Sequence, residues 1–259
     1  MKPNFILKDI IEAFKNWLTE HQPQLIPIPV RRGTEPESNL RPSKFTSLSL
    51  LIAISALITI PATLLASVST TPAPQQPKTI LFLGDSITAG YGLDQSQAFP
   101  ALIQQRIDQA KLNYTVINGG LSGETSSGGL RRIGWLLRSK VDIMVLELGA
   151  NDGLRGIDLA VTRQNLQQII DKTKASNPDV IIIIAGMQVP PNLGETYTRQ
   201  FRELFADLAN KNKAPLIPFI LQGVAGEPSL NLSDGIHPNA DGQKILANNV
   251  WNVLGPLIK

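Results

Sequence analysis

The sequence predicts an α/β fold with a parallel sheet of five strands and helices on both of its faces. Three observations carry this reading. Short apolar runs rich in Ile and Val fall at residues 79–83, 115–118, 142–148, 180–185 and 215–218. Apolar residues recur at helical spacing over 97–110, 130–139, 161–175, 196–210 and 240–254. The two kinds of segment alternate, as they do where parallel strands are joined by crossover helices.

Each strand is expected from its length and its lack of alternation. A strand covered on both faces has no solvent side, so it reads as a continuous run such as VIIIIA at 180–185. The helices are expected from apolar positions recurring every three or four residues, which puts one stripe against the sheet. Together these segments make one domain over residues 79–259.

Three segments precede it. Residues 1–44 hold seven basic and five acidic residues. An amphipathic helix is expected over 6–18, and Pro23, Pro27, Pro29, Pro36 and Pro42 break regular structure after it. No function is assigned to this segment. Residues 45–70 are expected to form a transmembrane helix or a signal peptide. No charge occurs from 45 to 68, and a run of about 20 apolar residues spans a bilayer as a helix. Arg31, Arg32, Arg41 and Lys44 precede the run, and the next charge is Lys78. That asymmetry orients the N-terminus inward and the bulk of the chain outward. Small residues near 66–69 also suit a cleavage site. Residues 71–78 are a Pro-rich linker. The expected location is therefore periplasmic or otherwise extracytoplasmic, with the membrane a partner through 45–68 if that segment is uncleaved.

Composition removes several functions. The chain has no Cys, so it has no disulfides, thiolate metal sites or Cys nucleophile. Hydrophobic residues make up 42% and charged residues 17%, enough for a folded core. Beyond residue 44 the charges nearly cancel, which leaves no electrostatic footprint for nucleic acid.

In a parallel α/β sheet the site lies beyond the carboxyl ends of the strands. After the first strand comes GDSIT, residues 84–88. Ser86 there is a nucleophile or only a helix cap, and Thr88 departs from the G-x-S-x-G elbow. After the second strand comes a Gly-rich turn, LSGET at 121–125, whose backbone N–H groups suit an anion. It lacks the Gly-Lys-Ser/Thr ending of a phosphate-binding loop. After the third comes GAND, residues 149–152, where Asn151 is a turn residue or an oxyanion donor. DGIHP, residues 234–238, places Asp234 three residues before His237. His237 is the only histidine after residue 78, so Ser–His chemistry in this domain has one available base. Asp85 and Asp152 are expected to be turn residues. Asp94 and Glu124 carry no argument for catalysis, and the loop 187–197 is a candidate wall for an acyl chain.

These four loops, in this order, resemble the SGNH (GDSL) hydrolase family. GDSIT carries the family serine, with Ile87 in place of Leu, and Gly123, Asn151 and His237 match the other signature positions. LELGANDGLRG and DGIHPNADGQ are most similar to the exported bacterial arylesterase, thioesterase and lysophospholipase group. The resemblance implies a flavodoxin-like three-layer α/β/α domain and a serine esterase that forms an acyl-enzyme on esters or thioesters, lysophospholipids included, without metal or organic cofactor. It implies catalytic Ser86, Asp234 and His237, with Ser86, Gly123 and Asn151 as oxyanion hole. A carbohydrate O-deacetylase on the same scaffold, and an inactive membrane-tethered binding module, are the alternatives.

Overall fold

Branched side chains dominate the segments that become strands because they fill a surface buried on both faces. The structure, a computed structural model, describes residues 76–190 and 193–258. The strands are β1 Lys78–Gly84, β2 Tyr114–Gly120, β3 Ile143–Glu147, β4 Ile181–Ala185 and β5 Leu216–Ile217. Helices α1 Ser86–Ala89 and α2 Phe99–Gln109 follow β1, and α3 Ser126–Leu136 follows β2. Helices α4 Ala150–Leu154 and α5 Leu159–Ser176 follow β3, α6 Glu195–Asn212 follows β4, and α7 Ala240–Leu254 follows β5.

The strand order is β2-β1-β3-β4-β5, and every pair is parallel. This is the flavodoxin-like order, with its switch point between β1 and β3. Right-handed crossovers put α2 on one face and α3, α5 and α6 on the other, and the C-terminal α7 joins α2. The packing agrees: α2 lies on α7, α3 on α5 and α5 on α6. The expected five-stranded parallel α/β/α domain is therefore what forms. The segments 1–44 and 45–70, and most of 71–78, lie outside the described residues. Among the described residues no helix is long and apolar enough to cross a membrane.

β1 sits between two neighbours, and Ile80, Leu81, Phe82 and Leu83 are completely buried. Phe82 meets Phe99 of α2 edge-on, with ring centres 5.3 Å apart. On the other face Phe201 and Phe205 of α6 meet in the same way, also at 5.3 Å. Such aromatic pairs add about 0.5–1.5 kcal/mol each beyond their buried area.

Two differences from the sequence expectation bear on the site. The helix expected at 130–139 begins at Ser126, where Thr125 caps it by accepting from the Gly128 N–H. Its first turn, Ser-Ser-Gly-Gly, is made of weak helix formers, so the periodicity is silent there. GAND reads as a turn, yet it contributes a short helix, α4, and GDSIT opens the short helix α1 at Ser86, with Asp85 rather than Ser86 as its cap.

Close approach of α1 to the end of β2 depends on Gly120. A Cβ there would lie 2.2 Å from the Ala89 backbone nitrogen, which cannot swing away. Gly120→Ala should destabilise the domain by about 1–3 kcal/mol through overpacking. Equilibrium urea denaturation reads this as a lower midpoint, and an unchanged midpoint would refute it.

Candidate active site

β1 ends at Gly84, and the chain turns through Asp85 into α1, whose first residue is Ser86. Asp85 Oδ1 accepts the Ile87 N–H at 2.9 Å, which caps the turn and aims Ser86. Ser86 Oγ lies 2.9 Å from His237 Nε2. His237 Nδ1 lies 2.7 Å from Asp234 Oδ2. A carboxylate only accepts, so Nδ1 carries the hydrogen and Nε2 presents its lone pair to the serine hydroxyl.

Asp234 is held as an anion. Burial opposes its ionisation, but hydrogen bonds from the His237 ring and from the His237 and Ile236 N–H groups, together with the His237 charge, outweigh burial and hold it at about 2. Those backbone bonds are 3.0 Å and 2.8 Å long, both to Oδ1. The His237 loop is pinned to the body of the domain. The Leu232 N–H donates to the His237 carbonyl at 2.7 Å, and Asn231 bridges to Pro238. Gln243 of α7, buried, accepts from the Phe99 N–H at 2.8 Å and donates to the Ile87 carbonyl at 3.2 Å. It thereby ties the helix after His237 to the helix that carries Ser86. The Tyr91 ring lies over the His237 ring with centres 4.5 Å apart.

After β2, residues 121–124 make a tight turn in which the Glu124 N–H donates to the Leu121 carbonyl at 3.1 Å. Gly123 stands there at φ +76°, a left-handed conformation that glycine adopts freely. The turn is tied to β1 because the Leu121 N–H donates to the Gly84 carbonyl at 3.0 Å. Asn151 of α4 is buried, and its Nδ2 donates to the Glu124 carbonyl at 3.0 Å and to Asp85 Oδ2 at 3.1 Å. The backbone N–H groups of Ser86 and Gly123 have no backbone or side-chain acceptor among the described residues. All five residues expected from the sequence thus gather around the turn between β1 and α1.

Several residues were not expected. Arg132 of α3 clasps the Glu124 carboxylate with Nε and Nη2, and Nη2 also donates to the Gly119 and Gly84 carbonyls. One guanidinium thus joins the ends of β1 and β2 to the Gly123 turn. Asp152, expected to be a turn residue, is corrected by the structure. It is buried in α4 and accepts from the Ser126 N–H at 2.8 Å, the Ser126 hydroxyl at 2.5 Å and the Thr162 hydroxyl at 3.2 Å. Its carboxylate ties α4 to the starts of α3 and α5. Asp85 does stabilise its turn as expected, and it holds Asn151 in addition.

Glu147 ends β3 beside Gly84 and is fully buried. Its Oε2 accepts the Thr88 hydroxyl at 2.7 Å and the Asp85 N–H at 3.3 Å, while Oε1 has no partner among the described residues. Burial, and next the Asp85 charge, push the Glu147 carboxyl well above its usual range. Burial also raises Asp85, to about 6, against the Ile87 N–H, His237 and Asn151, which lower it. A signal for Glu147 was present: it is the charged residue at the end of a run expected to be buried on both faces.

A model of the GDSL-like lipase/acylhydrolase family matches residues 82–245. The chain is 42% identical over 182 residues to the esterase TesA of Pseudomonas aeruginosa, covering 70% of this chain and 90% of that one. It is 39% identical over 181 residues to thioesterase 1/protease 1/lysophospholipase L1 of Escherichia coli K12, covering 70% and 85%. Among solved structures, the psychrotrophic esterase EstA of Pseudoalteromonas sp., inhibited by monoethylphosphonate, superposes with a TM-score of 0.66 at 32% identity, covering 70% of this chain and 98% of that one.

Glu147 makes a stability prediction whose sign follows from linkage. A carboxyl raised in the folded state contributes stability below its unfolded value of about 4.3 and loses it as pH rises toward its folded value. Glu147→Gln removes that loss. The difference in Tm, variant minus wild type, should grow in the variant's favour between pH 5 and pH 8. Calorimetry at both pH values checks it, and a constant difference would refute it.

Proposed function

The chain belongs to the GDSL-like lipase/acylhydrolase family and is a serine ester hydrolase, and we propose that Ser86 is its nucleophile, His237 its base and Asp234 the group that orients the base. The observation that carries this assignment is the chain of two short hydrogen bonds, Ser86 to His237 at 2.9 Å and His237 to Asp234 at 2.7 Å.

His237 takes the serine proton as Oγ attacks the ester carbonyl. Asp234 stabilises the imidazolium that results. The carbonyl oxygen becomes an oxyanion and is received by the Ser86 and Gly123 N–H groups and the Asn151 amide. His237 then gives its proton to the leaving oxygen, an acyl-enzyme forms, and water releases the acid by the same steps in reverse. The substrates are small-molecule acyl esters, with thioesters and lysophospholipids in the range that the names of the relatives suggest. Leu121, two residues before Gly123, is 53% exposed and supports an acyl chain at the rim. Residues 45–68 carry the domain to the extracytoplasmic side, as an anchor if uncleaved or as a signal segment if cleaved.

With p-nitrophenyl esters of increasing acyl length, hydrolysis should depend on Ser86. Asp234→Asn should lower kcat on the order of 10⁴-fold, and Ser86→Ala by more. Equal and complete loss in both folded variants would count against the assigned roles. Activity confined to acetylated glycans would move the substrate to carbohydrate.

The anchor is checked by fractionation. The expressed chain should sediment with membranes at full length. A soluble form beginning near residue 70 would show cleavage instead.

A further inference from the structure

Asp85 and Glu147 stand behind Ser86, 1% and 0% exposed, and neither belongs to the Ser86–His237–Asp234 chain. The other charged groups around them are already matched. The Glu124 carboxylate is paired with Arg132 of α3, and the Asp234 carboxylate accepts from the His237 ring. Two neighbouring buried carboxylates repel each other, so the pair holds one proton.

The hydrogen bonds decide where that proton sits. Both oxygens of Asp85 accept, Oδ1 from the Ile87 N–H and Oδ2 from Asn151 Nδ2. Protonation at either oxygen would oppose one of these bonds. Glu147 accepts at Oε2 alone, and Oε1 has no partner among the described residues. An ionised carboxylate with a bare buried oxygen is the costlier state. The charge therefore rests on Asp85 and the proton on Glu147.

We propose that Asp85 is a positioning residue for ester hydrolysis, its carboxylate fixing the Asn151 amide beside Ser86 as a preset oxyanion donor. This rests on the reading of Asn151 as part of the oxyanion hole. Asp85 Oδ2 and the Glu124 carbonyl hold Nδ2 before substrate arrives. As charge develops on the substrate oxygen, the Nδ2 hydrogen directed at Asp85 is shared with it in a three-centre bond, while the Glu124 carbonyl keeps the other hydrogen and the amide plane stays in place. A donor fixed beforehand costs no reorganisation at the moment of reaction.

The capping role of Asp85 uses its other oxygen, so the two roles separate by substitution. Asp85→Asn keeps an oxygen for the Ile87 N–H and sets an NH₂ against the Asn151 NH₂. Asp85→Ser keeps a capping oxygen and is too short to reach Asn151. Kinetics on a p-nitrophenyl ester would be measured for the full chain, with active sites counted by covalent phosphonate labelling. Asp85→Asn should lower kcat about 10-fold or more and leave KM within about threefold, because the contact serves the transition state. Asn151→Ala should cost about 10²–10³-fold. Adding Asp85→Asn to Asn151→Ala should then cost less than about threefold more, since a residue acting through Asn151 has nothing left to act on. Asp85→Ser should follow the same pattern, and it stands in if Asp85→Asn yields no labelled sites. Equal losses in both backgrounds, or a single-variant kcat within about twofold of wild type, would overturn the proposal. Full kcat in Asn151→Ala would instead overturn the reading of the oxyanion hole on which it rests.

Discussion

A hydrogen bond of 2.9 Å joins Ser86 to His237 across 151 positions of sequence, and much of the structure serves to hold those two atoms together. Proton transfer depends steeply on such a distance, and neither local turn could set it alone. On one side, Asp85 caps the turn that aims the serine. On the other, Asp234 fixes the imidazole tautomer, and the Asn231–Pro238 bridge closes the loop around it. Gln243 spans the gap with one amide, bonding to the Phe99 N–H and the Ile87 carbonyl. Because Gln243 is buried, losing either bond would leave a desolvated polar group, which stiffens the geometry.

The strand order explains why three loops meet here. β2, β1 and β3 are adjacent, and neighbouring parallel strands lie about 4.8 Å apart. Their carboxyl ends therefore deliver Gly123, Ser86 and Asn151 to one small region without long excursions. His237 comes from beyond β5, the far edge of the sheet, and so needs the pinned loop and α7 to bring it back. The site sits at the β1/β3 switch, where crossover helices diverge to opposite faces and leave a crevice.

Around that crevice the buried polar groups form a connected set. Arg132 answers Glu124 and the carbonyls that end β1 and β2. Asp152 answers Ser126 and Thr162. Each of these groups would be costly alone and is inexpensive when paired. Among the described residues, Glu147 Oε1 is the buried side-chain atom left without a partner, and a neutral carboxyl is the form in which that is least costly. Asp85 and Glu147 lie beside Ser86, and the burial that excludes water there raises both carboxyls.

The sequence by itself determined the strands, the five long helices and the identity of the gathered residues, because each is written in short-range pattern. Branched apolar runs made strands, 3.6-residue periodicity made helices, and α7 begins where Asn239 caps it. Ser86, Gly123 and Asn151 were legible because each lies in a short motif after a strand, and Asp234 and His237 because they share one motif just before α7. Tertiary structure alone decided what Arg132, Gln243, Asp152 and Glu147 do. Gln243 meets Phe99 across 144 positions and Glu147 meets Thr88 across 59. No local pattern encodes such pairs. A buried hydrogen bond between distant residues exists only once the sheet has set both ends in place, and the direction of a carboxyl or an amide is then fixed by what surrounds it.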